Sequence, residues 1–434
     1  METLTPSHYA GALLRELGIK KSPDIPEDSR NETLLWAASG AQYLTGEPDG
    51  PPLSSPAPLA TCAQGAWLAL SALSAGTIAH DFPAYQLLGE RAALLGLQRQ
   101  GAMSVGGACR LIDCADGQLA LSLTRPDDWR LLPAWLERDA DCWDTVSAAL
   151  LERSCSVMVS RGRLLGLAAA PSGPPLDVRE WFKAIRLAPA RKRVHRQPLV
   201  IDLSSLWAGP LCAQLLGQLG ARVIKVEGSA RPDGARQGSP KFFDLLNAGK
   251  ESVALDLATS TGRRQLRQLL ACADIVVESS RPRALEQMGM RVADIIGEGD
   301  GAVWLSITGY GRDTPMREWI AYGDDAGVAA GLTWLLGEAS GSQVFCGDAI
   351  ADPLTALHAA VLAWTAWSQG GGVLLDLSLY GVLSRCIAAG HGNRPQQPSC
   401  LSSIPPKARS VSTPAVAFGS STSEVLKELC IEEQ

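Results

Sequence analysis

Between residues 199 and 307, short apolar runs alternate with longer amphipathic stretches, and the order strand, glycine-marked turn, helix repeats. Leu199 to Leu203 is an apolar run of strand length, and the Ala208-Gly209-Pro210 that follows turns the chain into a helix from about Leu211 to Leu219. Proline suits a first helical position, Gly220 ends the helix, and Val223-Ile224-Lys225-Val226-Glu227 supplies a second strand. Further strands are predicted at Ser252–Leu257, Asp274–Glu278 and Ala302–Ile307, with the amphipathic stretches Gly262–Ala273 and Arg283–Ile296 as crossover helices. Strands joined through helices pair in parallel, so the pattern predicts a doubly wound α/β domain.

In dinucleotide folds a carboxylate closing the second strand holds a ribose, and Glu227 stands there. The phosphate-binding glycines are missing. The turn reads Trp207-Ala208-Gly209-Pro210 instead of GxGxxG, and its proline removes an N–H that a phosphate would use, which argues against NAD.

Composition changes the picture in a few places. A chain of 434 residues with 46% hydrophobic content suits two to three domains with real cores. The formal charge of −6 argues against nucleic acid as a partner, and the basic Arg191-Lys192-Arg193 lies in Pro189–Pro198, which reads as a solvated linker. Pro171–Pro175 and Pro395–Pro406 also read as linkers, and Ser421-Thr422-Ser423-Glu424 predicts a helix start before Val425–Cys430. Eleven cysteines without CxxC spacing suit a reducing compartment. With no charged-then-apolar leader, and with the longest apolar run, Leu354–Trp367, too short for a bilayer, a cytoplasmic location and no membrane partner are expected.

Taken in order, Asp202-Leu203, Ala208-Gly209-Pro210, Leu215-Leu216, Gly220-Ala221, Val223 to Glu227, Arg231, Asp233-Gly234, Arg236, Asn247, Lys250, Ser252 to Asp256, Glu278, Arg281-Pro282 and Ser306-Ile307-Thr308-Gly309-Tyr310-Gly311 form a pattern. It resembles the class III CoA transferases, the CaiB/BaiF-like group that includes the α-methylacyl-CoA racemases. That resemblance implies a Rossmann-like doubly wound parallel sheet with a smaller α+β domain, and no metal or permanently bound cofactor. CoA would be a co-substrate, with an acyl-CoA and a carboxylic acid as substrates.

The family's chemistry hangs on an aspartate at the start of a long helix, in a setting similar to Asp352-Pro353-Leu354-Thr355-Ala356-Leu357-His358, where Ala356 replaces the usual glycine. On the residues alone, an aspartate before a proline reads as an N-cap rather than a nucleophile. The resemblance makes Asp352 the nucleophile, and the helix dipole favours a carboxylate there. It also implies that Trp207, Lys225, Arg231, Arg236, Lys250, Arg281 and Tyr310 hold CoA at loops beyond the carboxyl ends of the strands. Trp207 stands where some of these transferases carry a glutamine, and an indole donates one hydrogen bond but accepts none. Gly106-Gly107 is a candidate loop over the site, although on the residues alone it reads first as a plain turn.

The chain departs from the family at its N-terminal half. Glu90 to Leu94, Gly106 to Leu111, Ala115 to Leu121 and Trp129 resemble the family's small domain, which normally follows the sheet. Leu34–Leu73 resembles a second copy of the region around Asp352, with Thr61 at the position of the aspartate. We therefore expect three parts: residues 1–85 a degenerate helical segment, 86–190 small-domain-like α+β, and 195–434 the Rossmann-like transferase domain. Members of the family resemble interlocked dimers; this order suggests either a homodimer or a single-chain pseudo-dimer with one live site at Asp352 and a dead one near Thr61. Two alternatives stay open. The racemase branch resembles G-H-D where this chain has Tyr322-Gly323-Asp324, so its histidine is missing, and a CoA-binding or structural subunit could keep the fold without turnover.

Overall fold

Among the described residues, ten strands form two sheets. A three-stranded antiparallel sheet holds β1 (Cys109–Cys114), β2 (Gly117–Ser122) and β3 (Ala168–Pro171). The larger sheet comprises β4 (Phe182–Arg186), β5 (Leu199–Asp202), β6 (Arg222–Gly228), β7 (Glu251–Leu255), β8 (Ile275–Glu278), β9 (Val303–Thr308) and β10 (Val373–Ser378). The computed structural model describes residues 4–19, 23–176, 180–191, 197–299, 301–313, 315–390 and 403–431. Lys192-Arg193 of the basic cluster and most of the Pro395–Pro406 linker lie outside the described residues.

The larger sheet runs β4-β10-β9-β8-β5-β6-β7. From β5 to β10 all neighbours are parallel, as the alternation of apolar runs and helices requires, and only β4 is antiparallel, on β10. The five predicted strands are present. The sheet adds β10, which follows three glycines at positive φ (Gly370, Gly371 and Gly372), and β4, whose residues the sequence places in the small-domain-like stretch. The predicted helix over Arg283–Ile296 is two helices, Pro282–Gln287 and Val292–Glu298, with Gly289 at φ +79° between them.

From β5 the chain winds to β6 and β7 on one side, then crosses back to β8, β9 and β10 on the other. The strand order therefore reverses between β5 and β8, and a crevice opens beyond their carboxyl ends. Buried charges tie this end of the sheet together. Asp202, closing β5, accepts from Lys250 Nζ at 2.8 Å, and the same ammonium reaches the Pro210 carbonyl at 2.8 Å and Asn247 Oδ1 at 3.0 Å. Lys225 on β6 pairs with Asp233 at 2.9 Å and donates to the Ser204 carbonyl at 2.9 Å. Burial alone would raise the Asp202 carboxyl, but Lys250 and then Lys225 outweigh it and hold the group below the usual carboxylate range.

Four helices carry the rest of the argument: α1 (Pro6–Glu16), α2 (Leu59–Leu73), α3 (Ala208–Gln218) and α4 (Ala351–Ser368). Every residue of α4 from Pro353 to Thr365 is buried. A helix apolar on all sides needs neighbours on all sides. The sheet and α3 cover part of α4, and α2 from the N-terminal half covers another part, with α1 packed on α2. One core accordingly contains Leu13, Leu68, Leu211 and Leu357 together.

Tyr9 and His358 fasten the two ends of the chain. His358 Nδ1 lies 2.7 Å from the Leu354 carbonyl, which can only accept, so Nδ1 carries the proton and Nε2 accepts from the Tyr9 hydroxyl at 2.7 Å. The smaller sheet has its own core around Trp135, Leu132 and Met158, contributed by helices Pro126–Leu136 and Cys155–Leu165. No helix among the described residues is long and apolar enough to cross a membrane.

The buried ion pair yields a stability test. Lys250→Met leaves the Asp202 carboxylate buried without its closest cation, and urea denaturation is expected to show a loss of about 3–5 kcal/mol. The double variant Asp202→Asn/Lys250→Met is expected to lose less, because no lone charge remains.

Candidate active site

Asp352 lies in the first turn of α4, next to Pro353, whose fixed φ suits a helix start. Asp352 is partly open to solvent, and the backbone N–H of Ala208, which opens α3 beyond β5, favours its ionised form. The start of α4 and the start of α3 thus meet at the crevice where the strand order reverses. Ser205 N–H donates to Ser279 Oγ at 3.1 Å, which joins the loops after β5 and β8 beneath them.

Strained backbone brackets this meeting. Ala349 has φ +43° and Leu206 φ +72°, in the left-handed region that side chains avoid. Ala349 is held there by its N–H bonded to Asp324 Oδ1 at 2.9 Å, and its carbonyl accepts from the Asp352 N–H at 2.9 Å. Leu206 is held by its N–H bonded to Asp233 Oδ1 at 3.0 Å. Gly323 packs against the other side of Asp352, so closely that a Cβ there would collide with Oδ2 and with the Ala349 carbonyl. The absent histidine of the racemase pattern has no space in this arrangement.

Arg91 enters from the N-terminal half. Its Nε donates to Asp348 Oδ2 at 2.9 Å and its Nη2 to Asp348 Oδ1, and its guanidinium stands over the Trp207 ring at 5.3 Å. Asp348 thereby binds the guanidinium, and the charges of Asp324 and Asp352 act on it as well. Burial pushes the Asp352 carboxyl up to about 7, against the attraction of Arg91 and with the repulsion of Asp324. Burial likewise pushes Asp324 up to about 6, again opposed by Arg91. Gly106 lies against Arg91 Nη2, so the Gly106-Gly107 turn does border this cluster. The indole N–H of Trp207 is buried and has no hydrogen-bond partner among the described residues.

The basic side chains fall into two groups. Lys225 and Lys250 are buried, and their ammoniums are already bonded to Asp233 and Ser204 and to Asp202, Pro210 and Asn247. Arg236 is likewise engaged, with Nε 2.9 Å from Glu227 Oε1 and Nη2 2.6 Å from Oε2, and with Phe243 beneath its guanidinium at 4.3 Å. All three shape the strand-end loops through buried acceptors: Lys250 has its three hydrogens bonded, whereas Lys225 and Arg236 keep N–H hydrogens beyond the bonds named. Arg231 is exposed and Arg281 half-buried, and no acidic side chain is paired with either among the described residues. Burial, then repulsion from Arg283 and Arg125 and more weakly from Arg231, lowers the Arg281 guanidinium below its ordinary value. Four arginines therefore converge at the strand ends, Arg125 coming from the small-domain side.

Tyr310 stands apart, at the end of β9, with Arg163 over its ring at 5.1 Å and Trp319 edge-on at 5.5 Å. At the position matched to Asp352 in the first half, the N–H groups of Ala60 and Thr61 at the start of α2 donate to Glu32 at 3.1 and 2.7 Å. Burial pushes that Glu32 carboxyl up to about 7. The sequence does not single out Arg91, Arg125 and Asp348 as site residues, and it offers Asp324 only as the aspartate of the G-H-D-like position; the fold brings them to the site.

Comparison with known proteins places residues 196–400 in register with CoA-transferase family III. The chain is 33% identical over 199 residues to the mouse succinyl-CoA:glutarate CoA-transferase, covering 43% of this chain and 46% of that one. It is 30% identical to the succinyl-CoA–D-citramalate CoA-transferase of Chloroflexus aurantiacus, covering 43% and 49%, and 30% identical to the succinate–glutarate CoA-transferase of Agrobacterium fabrum, covering 44% and 52%. The match thus spans about half the length of these relatives. Among solved structures, a CAIB/BAIF family protein from Brucella suis aligns with TM-score 0.41 and 28% identity, over 46% of this chain and 58% of that one.

The contact between Gly323 and Asp352 is directly testable. Gly323→Ala forces the carboxyl or the Ala349 carbonyl to move, and thermal or urea denaturation is expected to show a loss of about 1–3 kcal/mol.

Proposed function

We propose that this chain, whose residues 196–400 belong to CoA-transferase family III, moves CoA from an acyl-CoA thioester to a free carboxylic acid with Asp352 as nucleophile. The observation that carries this reading is the partly open Asp352 at the start of α4, set in the crevice where the Ala208 N–H favours its ionised form.

In this mechanism an Asp352 oxygen attacks the thioester carbonyl, the C–S bond breaks, and a mixed anhydride forms as CoA thiolate leaves. The thiolate then attacks the aspartyl carbonyl, which releases the donor's carboxylate and leaves an aspartyl-CoA thioester. An incoming carboxylate attacks that thioester in turn, giving a second anhydride, and CoA thiolate attacks its acyl carbonyl to give the new acyl-CoA and restore Asp352. Each addition places negative charge on oxygen. The Ala208 N–H suits a donor to the aspartyl oxygen, and the unpartnered indole N–H of Trp207 suits a second donor at the same crevice. Arg231 and Arg281 suit the CoA phosphates, because their charges converge without acidic partners of their own among the described residues, and Arg125, paired with Asp128 at 2.7 Å, adds a further cation nearby. Tyr310, away from Asp352, is left without a contact to CoA in this reading.

Racemisation is the weaker reading. It needs a base on each face of the substrate, and Gly323 occupies one side of Asp352 with no side chain and no room for one. A structural subunit without turnover would leave the strained setting of Asp352 without a use. The docking of the N-terminal half around α4 supports a site completed within one chain, in the manner of a pseudo-dimer, and Glu32 in place of an open aspartate supports a single live centre.

Asp352→Asn is expected to abolish transfer and to keep CoA affinity, since the amide has the same shape but is no nucleophile. Mass spectrometry of the wild-type chain with acyl-CoA should find an adduct on Asp352 and none on Thr61; transfer at wild-type rate by the Asn variant would end the assignment. Attack requires the ionised carboxylate, so the rate should fall as pH drops below about 7, where Asp352 takes up its proton. Arg231→Ala and Arg281→Ala should each weaken CoA binding by about 1 kcal/mol or more at low salt, and the deficit should shrink as salt rises.

A further inference from the structure

Arg91 lies outside residues 196–400, yet its guanidinium is fixed beside the candidate nucleophile from two directions. Asp348 grips it through two oxygens, and the Trp207 ring lies beneath it. Asp348 itself sits one residue before Ala349, whose strained backbone aims the first turn of α4. Holding Asp348 therefore holds the segment that delivers Asp352.

We propose that Arg91 is a positioning residue for CoA transfer, its guanidinium organising the Asp324, Asp348 and Asp352 carboxylates into one array at the start of α4. This rests on Asp352 being the nucleophile. The charge balance explains why a cation is needed. When all three carboxylates are ionised, one guanidinium leaves the array with a net charge of −2, and acylation of Asp352 reduces this to −1. Without Arg91 the free enzyme would hold −3, and Asp352 would keep its proton to higher pH.

Among the groups acting on Asp352, Arg91 attracts from the N-terminal half, Asp324 repels from helix Gly323–Ala329, and Asp348 repels from the segment before α4. His358, on α4 itself, has its ring bonded to Leu354 and Tyr9, and Trp181 stands edge-on at 5.6 Å. Trp207 and Ala208 at the start of α3 carry no charge. Arg91 is thus the cation that faces this carboxyl.

The test uses the full chain as Arg91→Ala and Arg91→Lys, with the Asp352 carboxyl titrated by carbon-13 NMR of aspartate-labelled protein and assigned by difference from Asp352→Asn. Arg91→Ala should raise the titration midpoint of Asp352 by about one pH unit or more, whereas Arg91→Lys, which keeps the charge, should stay near the wild type. With succinyl-CoA and glutarate as probes, Arg91→Ala should lose about tenfold or more in kcat at pH 7, recover part of it at pH 9, and keep its CoA affinity within about twofold. Arg91→Lys should lose kcat severalfold with an unchanged acid limb, because an ammonium cannot fork onto Asp348.

An Asp352 midpoint unmoved by Arg91→Ala overturns the proposal. If that variant does not fold, Arg91→Lys decides: wild-type kcat overturns the proposal, and reduced kcat on an unmoved acid limb supports it. Absence of any adduct on wild-type Asp352 sinks instead the nucleophile assignment beneath it, while adduct formation at wild-type rate in Arg91→Ala sinks the role of Arg91 alone.

Discussion

A helix with no polar face cannot rest on a sheet with its back to water. From Pro353 to Thr365, α4 buries every side chain, and a sheet with one crossover helix covers only part of such a cylinder. The uncovered side is the reason the first ninety or so residues fold where they do. Helix α2 lies along α4, α1 lies on α2, and the chain that follows passes the start of α4 and brings Arg91 onto Asp348. The chemistry proposed for the crevice is thus a consequence of where apolar surface had to be hidden. Burial of a long Leu or Val side chain contributes about 1.5–3 kcal/mol, so the many residues shared by this core outweigh the strain of order 1–3 kcal/mol held at residues such as Ala349 and Leu206.

The same burial sets the electrostatics. Burial raises Asp352 and Asp324 toward neutrality, while Asp202, equally deep, stays ionised because two ammoniums face it. The crevice therefore juxtaposes a fixed ionic floor, made of Asp202, Lys225, Asp233 and Lys250, with a titrating rim made of Asp324 and Asp352. The floor gives a rigid frame, and the rim can change charge during a reaction.

Strands β5 to β9 of the parallel sheet were legible in the sequence because each is a short apolar run bounded by a glycine or an amphipathic helix, a signal carried within about ten neighbouring residues, whereas β10 was missed behind its three glycines. β4 was not legible either, since Phe182–Arg186 is mostly exposed and pairs only at the edge. The position of Asp352 was legible through its resemblance to a helix start preceding an alanine-rich run. The partners of the basic residues were not. Lys250 meets Asp202 across 48 positions and Arg91 meets Asp348 across 257. Nothing local distinguishes a lysine that will be saturated inside from one left free for a ligand, so Lys225, Lys250 and Arg236 read like Arg231 and Arg281 until their acceptors are in place.

The bond between Tyr9 and His358 spans 349 positions. A chain emerging from the ribosome makes its first helix early and its nucleophile helix late, so α1 and α2 must wait with their apolar sides unpaired while most of the polypeptide is still being made. Closure over such a separation places this architecture among those of high contact order, where folding is slow and exposed intermediates are prone to aggregate. The interval before α4 emerges is thus when the protein would lean most on chaperones.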